Sequence, residues 1–540
     1  MFYYLANFWT ALRCIADRYS DLLCPAERHF IDTLAALPQS TQALLVRLIM
    51  RKGELFRESK ILYAEIGDTA QAAAPLIELG WIDAEPLLTL DELFALLTRP
   101  ELSRIFGELH SGRSKTDALE SLRARHAEAR TMALWYPHAR ERVYRVGVAA
   151  LCARLRILFF GNFRQDWSEF VLAELQIFKY EPVEISAQSR AFQTREEIEQ
   201  FFALYQCRQR LGQEQSIDEV IELIPPRPLA NEWLESRRAK LLFQIGREYE
   251  RQQQLLQALN AYAQSGYPGA RLRSLRVMER SGQYGAALEL AQSAAAQPEN
   301  EAERQQLPRL LGRIHRHLDL PGPQSICRTK PECLEVSLPQ PEAAISVERA
   351  VLAHWSRPEA PVYYVENALI NSLFGLLCWE AIFAPLSGAF FHAFHSGPAD
   401  LWSPTFHRRR QGLFERCLAR LEEDSYAAHI KQVFAHKHGI QCAFVYWGAL
   451  SVPLLDTALQ CIPALHLRRC FERLLLDLRQ NRAGLPDLIQ FWPQERRYRM
   501  IEVKGPGDRL QDNQRRWIEY CQSVEIPVAV CHVRWQQAAA

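Results

Sequence analysis

The sequence predicts a multidomain, mostly α protein that ends in a smaller α/β domain. Three observations carry this. The chain has 540 residues, too many for one ordinary core, so two to four domains are expected. Apolar residues recur at helical spacing through most of the first 315 positions. Near the C-terminus, Leu488–Trp492 and Tyr498–Val503 alternate and are rich in strand formers, with a polar turn, Pro493 to Arg497, between them. That pattern reads as a β-hairpin. The expected units are 1–86, 87–126, 127–315, a border at 316–349, and 350–540.

Composition narrows the class. Hydrophobic content of 48% and charged content of 24% describe a globular protein. The longest apolar stretch, Leu373 to Ala389, is interrupted by Glu380 and Pro385, short of a membrane span. The opening Met1-Phe-Tyr-Tyr-Leu-Ala-Asn7 has no charged lead and no cleavage site, so an intracellular location is expected. A net charge of +1 requires any basic face to be balanced by acidic surface elsewhere. The 13 cysteines have no paired spacing and read as reduced thiols. Cys327 and Cys333 lie near His315 and His317, but the spacing does not fit a zinc template.

Taken in order, Phe30–Leu37 and Thr41–Met50 are helical, separated by Pro38. The basic turn Arg51-Lys52-Gly-Glu-Leu-Phe-Arg57-Glu-Ser-Lys60 follows, and basic side chains at helix ends suit phosphate contacts; a solvated face is the other reading. Leu90–Leu97 leads through Ser111-Gly112-Arg113-Ser114-Lys115 into another helix. This helix, glycine turn and Ser-Lys helix start is similar to the SAP-type DNA-binding module, with Arg113 and Lys115 as its phosphate contacts. Residues 127–180 are aromatic and helical, and Pro225-Pro226-Arg-Pro228 marks a bend. Gly246, Tyr249, Ala258 and Tyr262 stand in an order that resembles a tetratricopeptide hairpin, where small residues let helices approach closely. Residues 127–315 are therefore expected to be a degenerate, TPR-like helical-hairpin array that scaffolds the rest.

The chemistry concentrates in the hairpin. Glu502 and Lys504 are two apart and share a strand face. Asp487, at the start of the first strand, lies across from them if the strands pair. Two carboxylates and an ammonium around one spot suit metal-assisted phosphodiester hydrolysis, because Mg²⁺ and Mn²⁺ take hard oxygen ligands. The Val503 carbonyl is a further donor. Lys504 would orient water or stabilise charge on phosphate. A third acid is sought at a helix start, and Glu366, ahead of the apolar stripe at 369, 370, 373, 376 and 377, fits. Glu380 would be roughly 21 Å away along that helix and cannot share the site. Arg408, Arg409 and Arg410 form a basic helix start after the Phe394–Asp400 loop. Helices are expected at Ala427–Trp447 and at Pro463–Arg479, which brings Arg482 close to Asp487. Asp508-Arg-Leu-Gln511 reads as a capping box, and Ile526–Val533 as a closing strand.

Leu485-Pro486-Asp487 with Glu502-Val503-Lys504 is the PD-(D/E)xK nuclease pattern. The longer Glu502-Val-Lys-Gly-Pro-Gly-Asp-Arg-Leu-Gln511, with Gln514 and Trp517 following, resembles the VRR-Nuc subgroup and, within it, the Fanconi-associated nucleases. The resemblance is specific over about 350–535 and looser upstream. It implies Glu366, Asp487, Glu502 and the Val503 carbonyl as Mg²⁺ or Mn²⁺ ligands, Lys504 as catalytic, and Gln514 facing the site. It also implies DNA contacts from Arg51, Lys52, Arg57, Lys60, Arg113, Lys115, Arg408, Arg409, Arg410, Arg482 and Arg509. The expected activity is cutting of 5′-flap and branched DNA near the junction and 5′–3′ exonuclease action, in interstrand-crosslink repair. Nothing corresponds to the ubiquitin-binding zinc finger of eukaryotic relatives, which implies a bacterial form without ubiquitin-directed recruitment, cytoplasmic and nucleoid-associated; a eukaryotic one would be nuclear. The large single-copy helical domains suit asymmetric branch recognition by a monomer. The alternatives are a Holliday-junction resolvase, which would need a symmetric dimer, and a helical-repeat scaffold with an inactive nuclease domain.

Overall fold

The computed structural model describes residues 2–107, 114–139, 141–162, 165, 167, 179–186, 188–211, 217–322, 331–339, 345–392, 394–423 and 425–536. Arg113, with the Ser111–Gly112 turn, and Cys327 lie outside them. The chain divides into two compact units: 1–178 with 185–195, and 179–184 with 196–540.

The first unit begins with helices Tyr3–Tyr19, Pro25–Ala36 and Gln39–Ile49. Leu5, Phe8, Leu12 and Ile15 recur at helical spacing and are fully buried, so this stripe is what holds the first helix to the core. Three short strands follow, β1 (Leu55–Arg57), β2 (Ile82–Asp83) and β3 (Val143–Val146). They form an antiparallel sheet with β3 in the middle. Helices Leu90–Leu96, Arg99–Phe106 and Lys115–Arg123 each open on a reciprocal capping box, at Thr89/Glu92, Thr98/Glu101 and Ser114/Asp117. These boxes satisfy N–H groups that a short helix would otherwise leave bare.

β3 moves the expected border at 127. It is the central strand of the first unit's sheet, and the Ala149–Phe160 helix that follows packs on Tyr3–Tyr19. That helix is apolar on nearly every side, with Cys152, Leu155, Ile157, Leu158, Phe159 and Phe160 buried. It therefore lacks the stripe that would separate a hairpin array from a buried core helix.

In the second unit five helices run in succession: Glu232–Arg251, Leu255–Ala263, Ala270–Arg280, Tyr284–Ala296 and Glu301–His317. Gly246 explains the first close crossing, since a Cβ there would meet the Tyr262 ring at 2.5 Å. A five-stranded mixed sheet follows: β4 (Glu332–Pro339), β5 (Val362–Tyr364), β6 (Leu488–Trp492), β7 (Arg497–Lys504) and β8 (Val528–Gln536). The spatial order is β4-β8-β7-β6-β5. β4 and β7 flank β8 in parallel, and the β5-β6-β7 pairs are antiparallel.

Residues 332–339, read as border, are thus an edge strand, in register with β8 from Glu332↔Ala529 to Pro339↔Gln536. The helix expected at Ala427–Trp447 spans only Tyr426–His436; Gly439, at φ +81°, lies in the turn after it. Pro463 is the N-cap of Ala464–Leu476, and a separate turn of helix covers Leu478–Asn481. The capping box predicted at Asp508 sits one turn later. Gln511 caps the Asp512–Ser523 helix with Gln514, while Asp508 accepts from the Gly505 N–H at 3.1 Å.

The last helix of the array grips that Asp512–Ser523 helix. Both guanidinium nitrogens of Arg309 donate to Asp512 at 2.8 Å, and Gln305 donates to its carbonyl at 3.0 Å. Arg473, buried against the Trp517 and Tyr520 rings at 4.9 and 4.2 Å, pairs with Glu301 at 2.7 Å. The array and the sheet are joined through charge-assisted bonds, the strong class. Among the described residues no helix is long and apolar enough to cross a membrane.

Candidate active site

The hairpin register Leu488↔Ile501 through Trp492↔Arg497 sets Asp487, the residue before β6, against Glu502 on β7. Gly484 allows the approach to β6: it has φ +93°, and a Cβ there would meet the Asn513 backbone at 2.7 Å. Asp487 is fastened at both ends. Its carbonyl accepts from Val365 N–H and its Oδ2 from Val503 N–H, each at 2.8 Å.

Asp487, Glu502 and Lys504 are all buried. Lys504 Nζ lies 2.8 Å from Glu502 Oε1 as an ion pair, yet neither Glu502 oxygen has a hydrogen-bond partner of good geometry among the described residues. Buried carboxylates are normally satisfied, so these two oxygens are the place in the cluster where a bound cation would fit. Burial pushes Asp487 up to about 6. The Val503 N–H and the Lys504 ammonium pull it down, and the charges of Glu348 and Glu366 push it up. Burial and the Asp487 charge push Glu502 up to about 7 against the pull of Lys504.

Glu366 does not begin the helix as expected. It lies in the turn before Leu369–Leu377, is exposed, and accepts from the Tyr364 hydroxyl and from Asn367 Nδ2. Asn367 adopts φ +52°, a left-handed turn that asparagine tolerates, and its Oδ1 accepts from Leu485 N–H at 3.1 Å. Glu366 is thereby tied to the Asp487 strand. Glu348, on the helix Val347–Trp355, is a further acid whose charge Asp487 feels. Sequence reasoning missed it by assigning 316–349 to a border; its signal was Ser346 capping that helix two residues earlier.

Two buried carboxylates, extra acids nearby and a buried ammonium fit a small divalent cation. Mg²⁺ takes one or two carboxylates and completes its shell with water and substrate phosphate. Among the described residues no three His, Cys, Asp or Glu side chains converge on one point, so water and substrate phosphate would have to supply most of such an ion's shell. Gln514 does not join the cluster by a bond: its Oε1 accepts from Gln511 N–H at 2.8 Å as a helix cap.

The predicted DNA contacts divide sharply. Arg57 is held, partly buried, between Glu101 and Glu141, at 2.7 and 2.6 Å. Arg410 is fully buried in a bidentate pair with Asp400 at 2.8 and 2.9 Å, which Arg409 also joins. These three hold loops together, because each guanidinium is already bonded to a carboxylate. Arg408 pairs with Glu232 at 2.8 Å. Lys115 donates to the Leu97 carbonyl at 2.8 Å, closing its own module, and Arg51 donates to the Lys60 carbonyl at 3.1 Å. Arg51, Lys52, Lys60 and Arg509 are exposed. Arg482 turns its guanidinium over the Trp402 ring.

Three stretches match family descriptions: residues 2–83 the FAN1 HTH domain, 87–135 the Fanconi anemia-associated nuclease SAP domain, and 421–535 the VRR-NUC domain. The chain is 53% identical over 537 residues to the Fanconi-associated nuclease 1 homolog of Pseudomonas aeruginosa, covering 99% of this chain and 96% of that one. It belongs to the Fanconi-associated nuclease family. A homolog from Oryza sativa subsp. japonica is 25% identical over 611 residues, covering 98% of this chain and 62% of its own. A crystal structure of paFAN1 bound to 5′-flap DNA superposes with a TM-score of 0.93 at 52% identity, covering 99% and 98% of the two chains. As a Fanconi-associated nuclease the protein is a DNA-acting hydrolase of the divalent-metal-dependent PD-(D/E)xK type.

Proposed function

We propose that this nuclease hydrolyses 5′-flap and other branched DNA near the junction, resects from 5′ ends, and serves interstrand-crosslink repair as a monomer inside the cell. The observation that carries the reading is the buried pair Asp487 and Glu502, with both Glu502 oxygens under-bonded, in a chain so similar to one crystallised on a 5′ flap. Asp487, Glu502 and Glu366, with the Val503 carbonyl, would hold Mg²⁺ or Mn²⁺. When bound, the metal supplies a hydroxide equivalent and neutralises charge on the phosphate. Asp487 and Glu502 must give up their protons first, and Lys504 favours this by its charge. Its ammonium then faces the phosphate and stabilises the charge that develops in the transition state. Arg51, Lys52, Lys60 and Arg509 are the exposed cations proposed for phosphate contacts, and binding through them weakens as salt rises.

An end-labelled 5′-flap duplex incubated with Mg²⁺ or Mn²⁺ tests the reading. Cuts near the junction, abolished by Asp487→Asn and by Glu502→Gln with flap binding intact, are expected. A wild type that binds flaps, forks and four-way junctions without cutting any of them would overturn it.

A further inference from the structure

Five residues before Asp487, Arg482 joins a cluster that the metal chemistry does not use. Trp402 and Tyr446 leave 41% and 38% of their surface in water, unusual for large aromatic side chains on a folded domain. Arg482 joins them. Its guanidinium lies 4.6 Å from the centre of the Trp402 ring, and its Nη2 is 3.5 Å from Tyr446 Oη.

All three are rigidly mounted. Trp402 sits on a loop pinned by the buried Asp400–Arg410 pair, with Leu401 buried beside it. Tyr446 N–H donates to Ser372 Oγ at 3.0 Å. The preceding Phe444 and Val445 close on Gly375, where a Cβ would meet them at 2.9 and 2.8 Å. The Arg482 carbonyl accepts from Asn371 Nδ2 at 2.8 Å. Ser372, Gly375 and Asn371 all lie on the Leu369–Leu377 helix. The same Asn371 amide donates to the Asn367 carbonyl at 2.6 Å, and Asn367 holds Leu485, two residues before Asp487. One bonded frame therefore carries both the reacting acids and the aromatic cluster.

We propose that Trp402, Arg482 and Tyr446 form a stacking platform for an unpaired nucleobase of the DNA strand being cut. Exposed aromatic faces and a planar guanidinium attract the π-face of any base, and such stacking is sequence-tolerant. The indole occupies one face of the Arg482 guanidinium, a stack that a base can extend. The proposal deepens the flap-nuclease reading and rests on it: the platform holds one splayed-out nucleotide beside the cleaved bond and so sets where the strand is cut.

The test uses the full-length protein and 5′-flap substrates that each carry one abasic nucleotide at a different position around the junction. Under single-turnover conditions Trp402→Ala should weaken substrate use about 10-fold, mainly through KM, while Trp402→Phe stays near wild type. One abasic position should reproduce that loss in the wild type and add nothing in Trp402→Ala. 2-Aminopurine at that position should lose fluorescence on binding wild type and keep it with Trp402→Ala or Tyr446→Ala. Additive effects of abasic site and substitution, or unchanged quenching, would overturn the platform. If the wild type cuts no flap, the substrate reading fails by itself. Quenching of 2-aminopurine in single-stranded DNA, lost or retained in Trp402→Ala, then decides the platform separately.

Discussion

Arg57 on β1 and Glu502 on β7 are both charged side chains drawn out of water on a strand, the first partly and the second fully, but their surroundings differ. Arg57 meets two carboxylates, Glu101 and Glu141, with four hydrogen bonds of 2.6 to 3.0 Å. Its bonds bring Glu101 down to about 2 and, against the opposing effect of burial, lower Glu141 as well. Glu502 meets one ammonium and a second acid, and burial drives it up to about 7. The first cluster is closed and electrostatically complete, so it can only hold structure. The second is short of positive charge and of bond partners, an arrangement that suits a cation and a phosphate. Completeness of bonding, more than burial or charge, separates a structural cluster from a reactive one.

Breaking the incomplete cluster should have the largest effect on function and the opposite effect on stability. Asp487→Asn or Glu502→Gln should reduce cleavage by about 10³-fold or more. Breaking the complete cluster should do the reverse. Arg57→Ala leaves the partly buried Glu101 and Glu141 without their shared partner and should cost about 1–3 kcal/mol, read by urea unfolding. Gly246→Ala, which forces the Tyr262 ring aside, should cost about 1–3 kcal/mol in the same assay. The smallest effect sharpens the comparison. Glu348→Gln removes one of the charges that push Asp487 up, so the acid limb of the cleavage pH profile should move to lower pH by a fraction of a unit.

The hairpin that carries the candidate site was legible because its signals are local: alternation, a turn, and acids where a core strand has none. Asp487, Glu502 and Lys504 followed from the period of a strand and the register of a hairpin. What the sequence hid depends on distant partners. Nothing in the basic run 51–60 tells that Arg57 turns inward to residues 44 and 84 positions away. The same holds for Arg409 and Arg410, which read as an exposed basic turn until Asp400 is seen to fold back on them. β4 escaped because Glu332-Cys-Leu-Glu-Val-Ser-Leu-Pro339 is a solvated edge strand between prolines, and its partner β8 lies almost 200 residues later. β3 is only four residues long and pairs across about 60 to 90 positions.

pH ties the two properties of the reactive pair together. Unfolded, both acids titrate near 4; folded, they hold their protons up to about 6 and 7. Between these limits the unfolded chain ionises first, so the metal-free protein loses stability as pH rises from about 4 to 7. Cleavage, which needs both carboxylates ionised, should rise across about pH 6 to 7. The decisive measurement is thermal unfolding of metal-free wild type and Glu502→Gln at pH 5 and pH 8, beside flap cleavage by the same preparations. The expected result is a variant that cuts nothing, melts higher than wild type at pH 8, and loses most of that advantage at pH 5, where Glu502 is already protonated. A variant that melts lower than wild type at pH 8, or that still cuts, would contradict the account.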